Sequence, residues 1–423
     1  MSIIELGEVR EEPASAPPVH RPRAAGRPLR CAAVLLVALV ALASAAPVPR
    51  RTETPVPASP GARAYLTEDG IFVIDASSAG GDRHITAYAQ PAAGGEVRRR
   101  WQAPLAGVGD YLGIRDERGL VLLTGVSAGD GQQQTTAFDA ATGEQRWRRP
   151  GIGSWTADGG LLLSATDEGS GAVSRVAPDT GRALWSVPVP PPGNVSYHGG
   201  IGEVDRFVLL QPTGELQVHD AGTGRLLRSI DTLPGDRSAL QQAQVVGDLL
   251  LLAPPGHTRL EGYGLSELDR RWTAEVPLVS FVLRCGSLLC AFQHTGGIQA
   301  FDPATGAVRW SRPGGDMLAD VRDGRLLMIG PLRRYTALDT TTGRTGTDLG
   351  QWDLVPVLRP DDPLIGVRQG NAGQLVVAEL DLVAGRSRII DVLSGVSNDC
   401  KASQAVLLCR RLDGSTALWR LRP

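Results

Sequence analysis

One eleven-residue segment recurs along this chain and restricts the fold more than any other feature. At 300–310 it reads AFDPATGAVRW and at 137–147 AFDAATGEQRW. Partial copies stand at 176–185 (VAPDTGRALW), 218–228 (VHDAGTGRLLR), 337–347 (ALDTTTGRTGT) and 380–389 (LDLVAGRSRI), and looser ones at 88–101 and 263–272. Each reads as strand, tight turn, strand. The aromatic or aliphatic start has β propensity, and Asp, Thr and Gly are turn formers. An apolar residue then alternates with a charged one up to the tryptophan, the period of a half-buried strand.

The copies return every 37 to 48 residues. A β-rich period of that length signals one repeated supersecondary unit that buries its apolar face only by stacking on its neighbours, and a propeller is the usual result. Uniformly apolar runs at 71–74, 120–123, 161–163, 207–210, 249–252, 288–292, 326–329 and 405–408 supply strands covered on both faces. Each unit is therefore expected to hold four strands, inner to outer in chain order. Eight turn motifs predict an eight-bladed all-β propeller over 62–423, with seven blades as the alternative. Surplus strands after residue 393 would complete a blade with the first segment, from Ala62 on. A ninth unit is arithmetically possible.

Within the motif, Asp139, Asp220, Asp302, Asp339 and Asp381 can accept backbone amides of their own turn. Gly143, Gly181, Gly224, Gly306 and Gly343 supply the positive φ that a bulged turn needs. Trp101, Trp147, Trp185, Trp272 and Trp310 fall on outer strands, where a flat ring can cover the seam to the next blade. Burying one such ring contributes on the order of 2–3 kcal/mol. Their repetition points to architecture rather than to ligand stacking.

The repeat resembles the PQQ-like (quinoprotein-type) propeller repeat, whose outer-strand motif is A-x-D-x-x-T-G-x-x-x-W; 137–147 and 300–310 match it fully. The resemblance implies the propeller fold. The family includes quinoprotein alcohol and glucose dehydrogenases, and also non-enzymatic propellers such as an outer-membrane assembly lipoprotein. The alcohol dehydrogenases carry adjacent cysteines over the quinone and a Glu/Asn/Asp calcium set. This chain has no adjacent cysteines, and no calcium set can be placed in it. The expectation is therefore the non-enzymatic branch, with no cofactor, no metal and no catalytic residues.

The N-terminal region is of a different kind. Residues 1–30 are polar and rich in Pro, Arg and Glu, and read as a disordered cytoplasmic tail. Residues 31–48 are uncharged, with the apolar heart AAVLLVALVALA at 32–43. They read as a transmembrane signal-anchor, with secretion after cleavage near Ala45 as the alternative. Arg21, Arg23, Arg27 and Arg30 precede the segment closely and Arg50 and Arg51 follow it, which keeps the N-terminus cytoplasmic. Residues 49–61 read as a Pro-rich linker.

Five cysteines are present. Cys285 and Cys290 flank one turn, Cys400 and Cys409 another. The local pairings Cys285–Cys290 and Cys400–Cys409 are the expected disulfides, in an oxidising compartment. A net charge of −2 gives no reason to expect nucleic acid as partner. Of 43 basic residues only Lys401 is a lysine. No nucleophile–base pair, phosphate loop or histidine cluster appears. The expected function is a monomeric, membrane-anchored extracytoplasmic scaffold, binding a protein, peptide or glycan through the loops at 125–134, 188–202 and 233–240. A quinoprotein dehydrogenase and a sensor domain are the alternatives.

Overall fold

Short strands separated by glycine-bearing turns cannot bury both faces within one unit, and here they do so by stacking. The computed structural model describes residues 53–421 apart from 77–82, 92–94, 106–107, 128, 167–170, 192, 201, 233–241, 254–257, 295 and 404–405. The tail at 1–30, the apolar segment at 31–48 and the loop at 233–240 lie outside the described residues. No described helix is long and apolar enough to cross a membrane.

The described strands form nine antiparallel four-stranded sheets. Blades 1 to 8 take consecutive strands from 63–105, 108–150, 152–189, 194–231, 242–275, 279–312, 317–351 and 353–394. Blade 9 joins three C-terminal strands within 396–420 to one N-terminal strand, Glu53–Val56. First strands of neighbouring blades approach one another, clearly so for blades 4, 5 and 6, so the chain order runs from inside outward. The apolar runs picked out from the sequence are the second strands, buried on both faces, as in Gly70–Ile74 and Leu249–Ala253.

Each of the nine seams has its own apolar cluster. The closing seam, between blades 9 and 1, contains Val56, Leu66, Ile71, Val73, Val406, Leu408 and Leu418. The propeller thus has nine blades, not eight or seven. Blade 8 carries the turn motif but lacks a continuous apolar run, because its second strand, Ile365–Gln369, contains Gly366 and Arg368. Trp352 compensates there: Arg368 stacks on its ring at 4.6 Å. Blade 9 has the apolar run but no complete motif.

The Pro-rich spacer is also revised in part. Glu53–Val56 is the outer strand of blade 9, with Glu53 opposite Trp419 and Val56 opposite Thr416. Proline is tolerated on such an edge because its missing N–H can face solvent. Val56 is 3% exposed, and Glu53 pairs with Arg411 at 2.8 Å. The ring is closed by residues upstream of Ala62.

Removing residues 1–58 should therefore open blade 9. Losing the Val56 side chain alone forfeits about 1.5–3 kcal/mol of apolar burial, and the Thr416–Arg420 edge is bared. The thermal midpoint should fall by more than about 4 °C relative to a chain beginning at residue 51. Equal midpoints for the two chains would show that this strand closes nothing.

Candidate functional site

The recurring residues come together in pairs along the seams, not in one pocket. The indole Nε1 of Trp101 donates to Ala140 O at 2.9 Å, Trp147 to Pro178 O at 2.7 Å and Trp185 to Gly222 O at 3.0 Å. Trp272 donates to Pro303 O at 2.9 Å and Trp310 to Thr340 O at 3.0 Å. Every acceptor lies in the motif turn of the following blade. The ring then covers that turn's glycine. A Cβ on Gly143 would stand 2.4 Å from Trp101, and one on Gly181, 2.6 Å from Trp147. The corresponding distances are 2.6 Å for Gly224 and Trp185, 2.7 Å for Gly306 and Trp272, and 2.5 Å for Gly343 and Trp310. All five glycines have φ between 65° and 74°. Glycine is thus required twice, for its backbone angle and for the space above it.

One seam breaks the pattern on both sides at once. Blade 4 carries Arg228 where tryptophan would stand, and blade 5 carries Leu268 where glycine would stand. Leu268 adopts φ 56° and is buried in that seam's own cluster. Without an indole overhead, a side chain fills the place.

The motif aspartates cap their turns. Asp139 accepts from Ala141 N at 3.0 Å and from Thr142 N and Oγ1 at 2.9 and 3.0 Å. Asp302 accepts from Ala304 N at 2.9 Å. The Arg146 guanidinium beside Asp139, and Arg309 beside Asp302, hold these carboxyls well below the usual carboxylate range. Both cysteine pairs are disulfides, Cys285–Cys290 and Cys400–Cys409, each joining the first and second strands of its blade. Two of the expected binding loops are shorter than their sequence suggests. Residues 125–126 and 133–134 pair within one hairpin, and 188–202 contains the end of one strand and all of Asn194–His198.

On the inner strands, polar side chains reach the backbone of the next blade. Val245 N–H donates to Ser196 Oγ at 2.9 Å, and Val282 N–H to Gln244 Oε1 at 3.0 Å. Lys401 Nζ donates to Ala64 O at 2.8 Å across the closing seam. There, where blades 9, 1 and 2 meet, opens a cavity of about 550 Å3. Arg63, Tyr65, Tyr111, Asp399, Lys401 and Arg410 supply its polar lining. The Lys401 ammonium lies 5.4 Å from the centre of the Tyr65 ring, and burial pushes its pKa down. Burial likewise pushes the Tyr65 and Tyr111 phenols up. Arg63 has a loose, exposed partner in Asp110 at 3.9 Å. Blades 4, 5 and 6 frame a smaller cavity of about 360 Å3, where Phe281 lies 41% exposed. Among the described residues, no group of three or more His, Cys, Asp or Glu could hold a metal. Lys401 carried a sequence signal, its uniqueness. Arg63, Tyr65 and Tyr111 carried none.

A family model described as outer membrane protein assembly factor BamB matches residues 81–252, which span three of the Asp–Gly turns just described. Over that stretch the repeats match the PQQ-like propeller repeat. Solved structures similar to this PQQ-like propeller include BamB from Moraxella catarrhalis, 14% identical, with a TM-score of 0.39, covering 87% of this chain and 97% of that one. The computationally designed Ika8 protein is 15% identical, with a TM-score of 0.45, covering 75% of this chain and 98% of that one. A quinohemoprotein alcohol dehydrogenase, ADHIIG from Pseudomonas putida HK5, is 16% identical, with a TM-score of 0.38, covering 65% and 62%. These likenesses are too distant to carry function. The comparison with curated proteins finds no match.

Two outcomes follow for the PQQ-like turns. Gly143→Ala meets both the left-handed backbone and the Trp101 ring, and should destabilise by about 2–4 kcal/mol. Gly131→Ala, at φ 71° with open space around it, should cost only the backbone share, about 1–2 kcal/mol. Equal losses in urea unfolding would remove the ring from the explanation. Carboxyls held low when folded stabilise above their unfolded pKa of about 4 and lose that contribution as pH falls below it. The stability gap between the native chain and Asp139→Asn, measured at pH 7, should therefore narrow steadily towards pH 2; a gap independent of pH would refute this.

Proposed function

We propose that this chain is a non-enzymatic, membrane-anchored propeller on the extracytoplasmic side, serving as a rigid binding or scaffold module. One observation carries the reading most strongly. The residues repeated from blade to blade, the chemistry a sequence search notices first, are engaged within the protein: indoles on carbonyls, aspartates on their own turns, cysteines in disulfides. What remains for a ligand is the polar surface of the inner strands and the turns at the ring's two faces. Two disulfides favour an oxidising compartment, consistent with export directed by the apolar segment at 31–48. A protein or peptide is the partner favoured, because a charged, tyrosine-walled recess on a stiff frame suits side chains presented by another chain.

The test has two arms. Pyrroloquinoline quinone and calcium added to the purified chain should give dye reduction no faster than cofactor alone; substrate-dependent turnover would replace the proposal with the dehydrogenase reading. In intact cells, a photo-cross-linking residue at Leu112, half exposed at the rim of the larger cavity, should trap a discrete partner. The same residue placed at Val383, on an outer turn of blade 8, should not. Identical adducts at both positions, or none at either, would count against a partner on the inner surface.

A further inference from the structure

We infer that the cavity where blades 9, 1 and 2 meet is a carboxylate-binding site, in which the Lys401 ammonium and the Arg63 guanidinium receive the anion between Tyr65 and Tyr111. This rests on the binding-module reading and names the chemistry that such a module would recognise.

The first ground is an enclosed charge with no close ion pair. Lys401 is largely enclosed, yet no carboxylate among the described residues lies within ion-pair distance of its nitrogen. Its one described hydrogen bond goes to a neutral carbonyl, that of Ala64, at 2.8 Å. Two of its three N–H donors remain for another acceptor. Asp399 acts on the ammonium from beyond ion-pair distance and offsets part of its burial cost, and an anion arriving in the adjoining space relieves the rest. Tyr65 offers a ring face to the ammonium, which helps hold it in place but supplies no full negative charge.

The second ground is the balance of charge around the space. Arg63, Lys401 and Arg410 line it, against Asp399 alone. Arg63 donates to Tyr111 O at 3.5 Å, touches the Tyr65 hydroxyl and meets Asp110 at 3.9 Å, and with four-fifths of the Asp110 side chain in solvent that carboxylate does not saturate the guanidinium. Arg83 belongs to the same neighbourhood, its guanidinium 5.8 Å from the Tyr111 ring centre and donating to Gly109 O at 2.7 Å. Such a setting favours the ionised carboxylate over neutral ligands.

The third ground is the choice of residue. Every other basic position in the chain is arginine. A guanidinium is a rigid planar fork, whereas an ammonium is compact with rotatable donors. At this one place a donor must reach Ala64 O and still turn others into the cavity, and only here does lysine appear.

Two sources share this chemistry, a free organic acid and an acidic peptide segment, and the single lysine lets one experiment separate them. The intact chain is treated with an amine-acetylating reagent, and acetylation of Lys401 is followed by mass spectrometry with the N-terminal amine as internal control. Without added anion Lys401 should react. Citrate or a pentaglutamate peptide, at several times its Kd in the millimolar range, should slow that reaction about fivefold and leave the N-terminal amine unchanged. Sodium chloride of equal ionic strength should not protect. Protection by citrate alone assigns the site to small organic acids, and protection by the peptide at lower concentration assigns it to acidic segments. Arg63→Gln changes the field at Lys401, so its protection is read against its own anion-free rate, and that protection should be weaker than in the native chain. Failure of both carboxylates to protect, equal protection by chloride, or an unreactive Lys401 in the absence of anion would each overturn the inference. Continued cross-linking from Leu112 in that case would leave the binding-module reading standing.

Discussion

An indole resting on the next blade's glycine is the contact on which most of this ring depends. It fixes the angle between neighbouring sheets, because the ring is flat, the turn beneath has no side chain, and a hydrogen bond to a turn carbonyl sets the depth. It also links sequence positions that lie some forty residues apart: the tryptophan of one unit needs the glycine of the following one. Blades 4 and 5 show the dependence by its exception, where the missing indole and the missing glycine occur together and Leu268 occupies the seam. Blades 7 and 8 offer a smaller version, with Thr347 packed close over Gly385.

The fold class was legible because the repeat encodes both halves of that contact. The blade number was not, and the reason is specific. Turn motifs mark blades 1 to 8, while the apolar runs mark blades 1 to 7 and blade 9. Each tally reaches eight, from two different sets, and the union is nine. Gly366 and Arg368 break the run in blade 8, where Trp352 takes over part of the covering. In blade 9 the outer strand comes from the other end of the chain, so no motif can span it. The prolines around Glu53–Val56 suggested a spacer, because composition does not distinguish a solvated linker from an edge strand whose free side faces water.

The cavity was beyond reach of the sequence for a related reason. Tyr65 and Tyr111 are separated by a full blade, and Lys401 lies near the other end of the propeller sequence from both. Only ring closure brings them together. The inner surface therefore differs in kind from the seams. The seams repeat, and a repeated residue is visible as a pattern. The inner strands present individual side chains, such as Ser196, Gln244 and Lys401, each directed at the neighbouring backbone.

The borrowed strand of blade 9 has a consequence for how the protein comes into being. Residues 53–56 leave the ribosome long before their partner, Thr416–Arg420. Until then the nascent ring is an arc with two open edges, free to pair with whatever strand comes near. Eight blades can stack during synthesis, but the ninth must wait for Thr416–Arg420, and the closing contact joins segments far apart in sequence, which makes it a slow step. For this molecule maturity is a topological event, reached when those two strands meet.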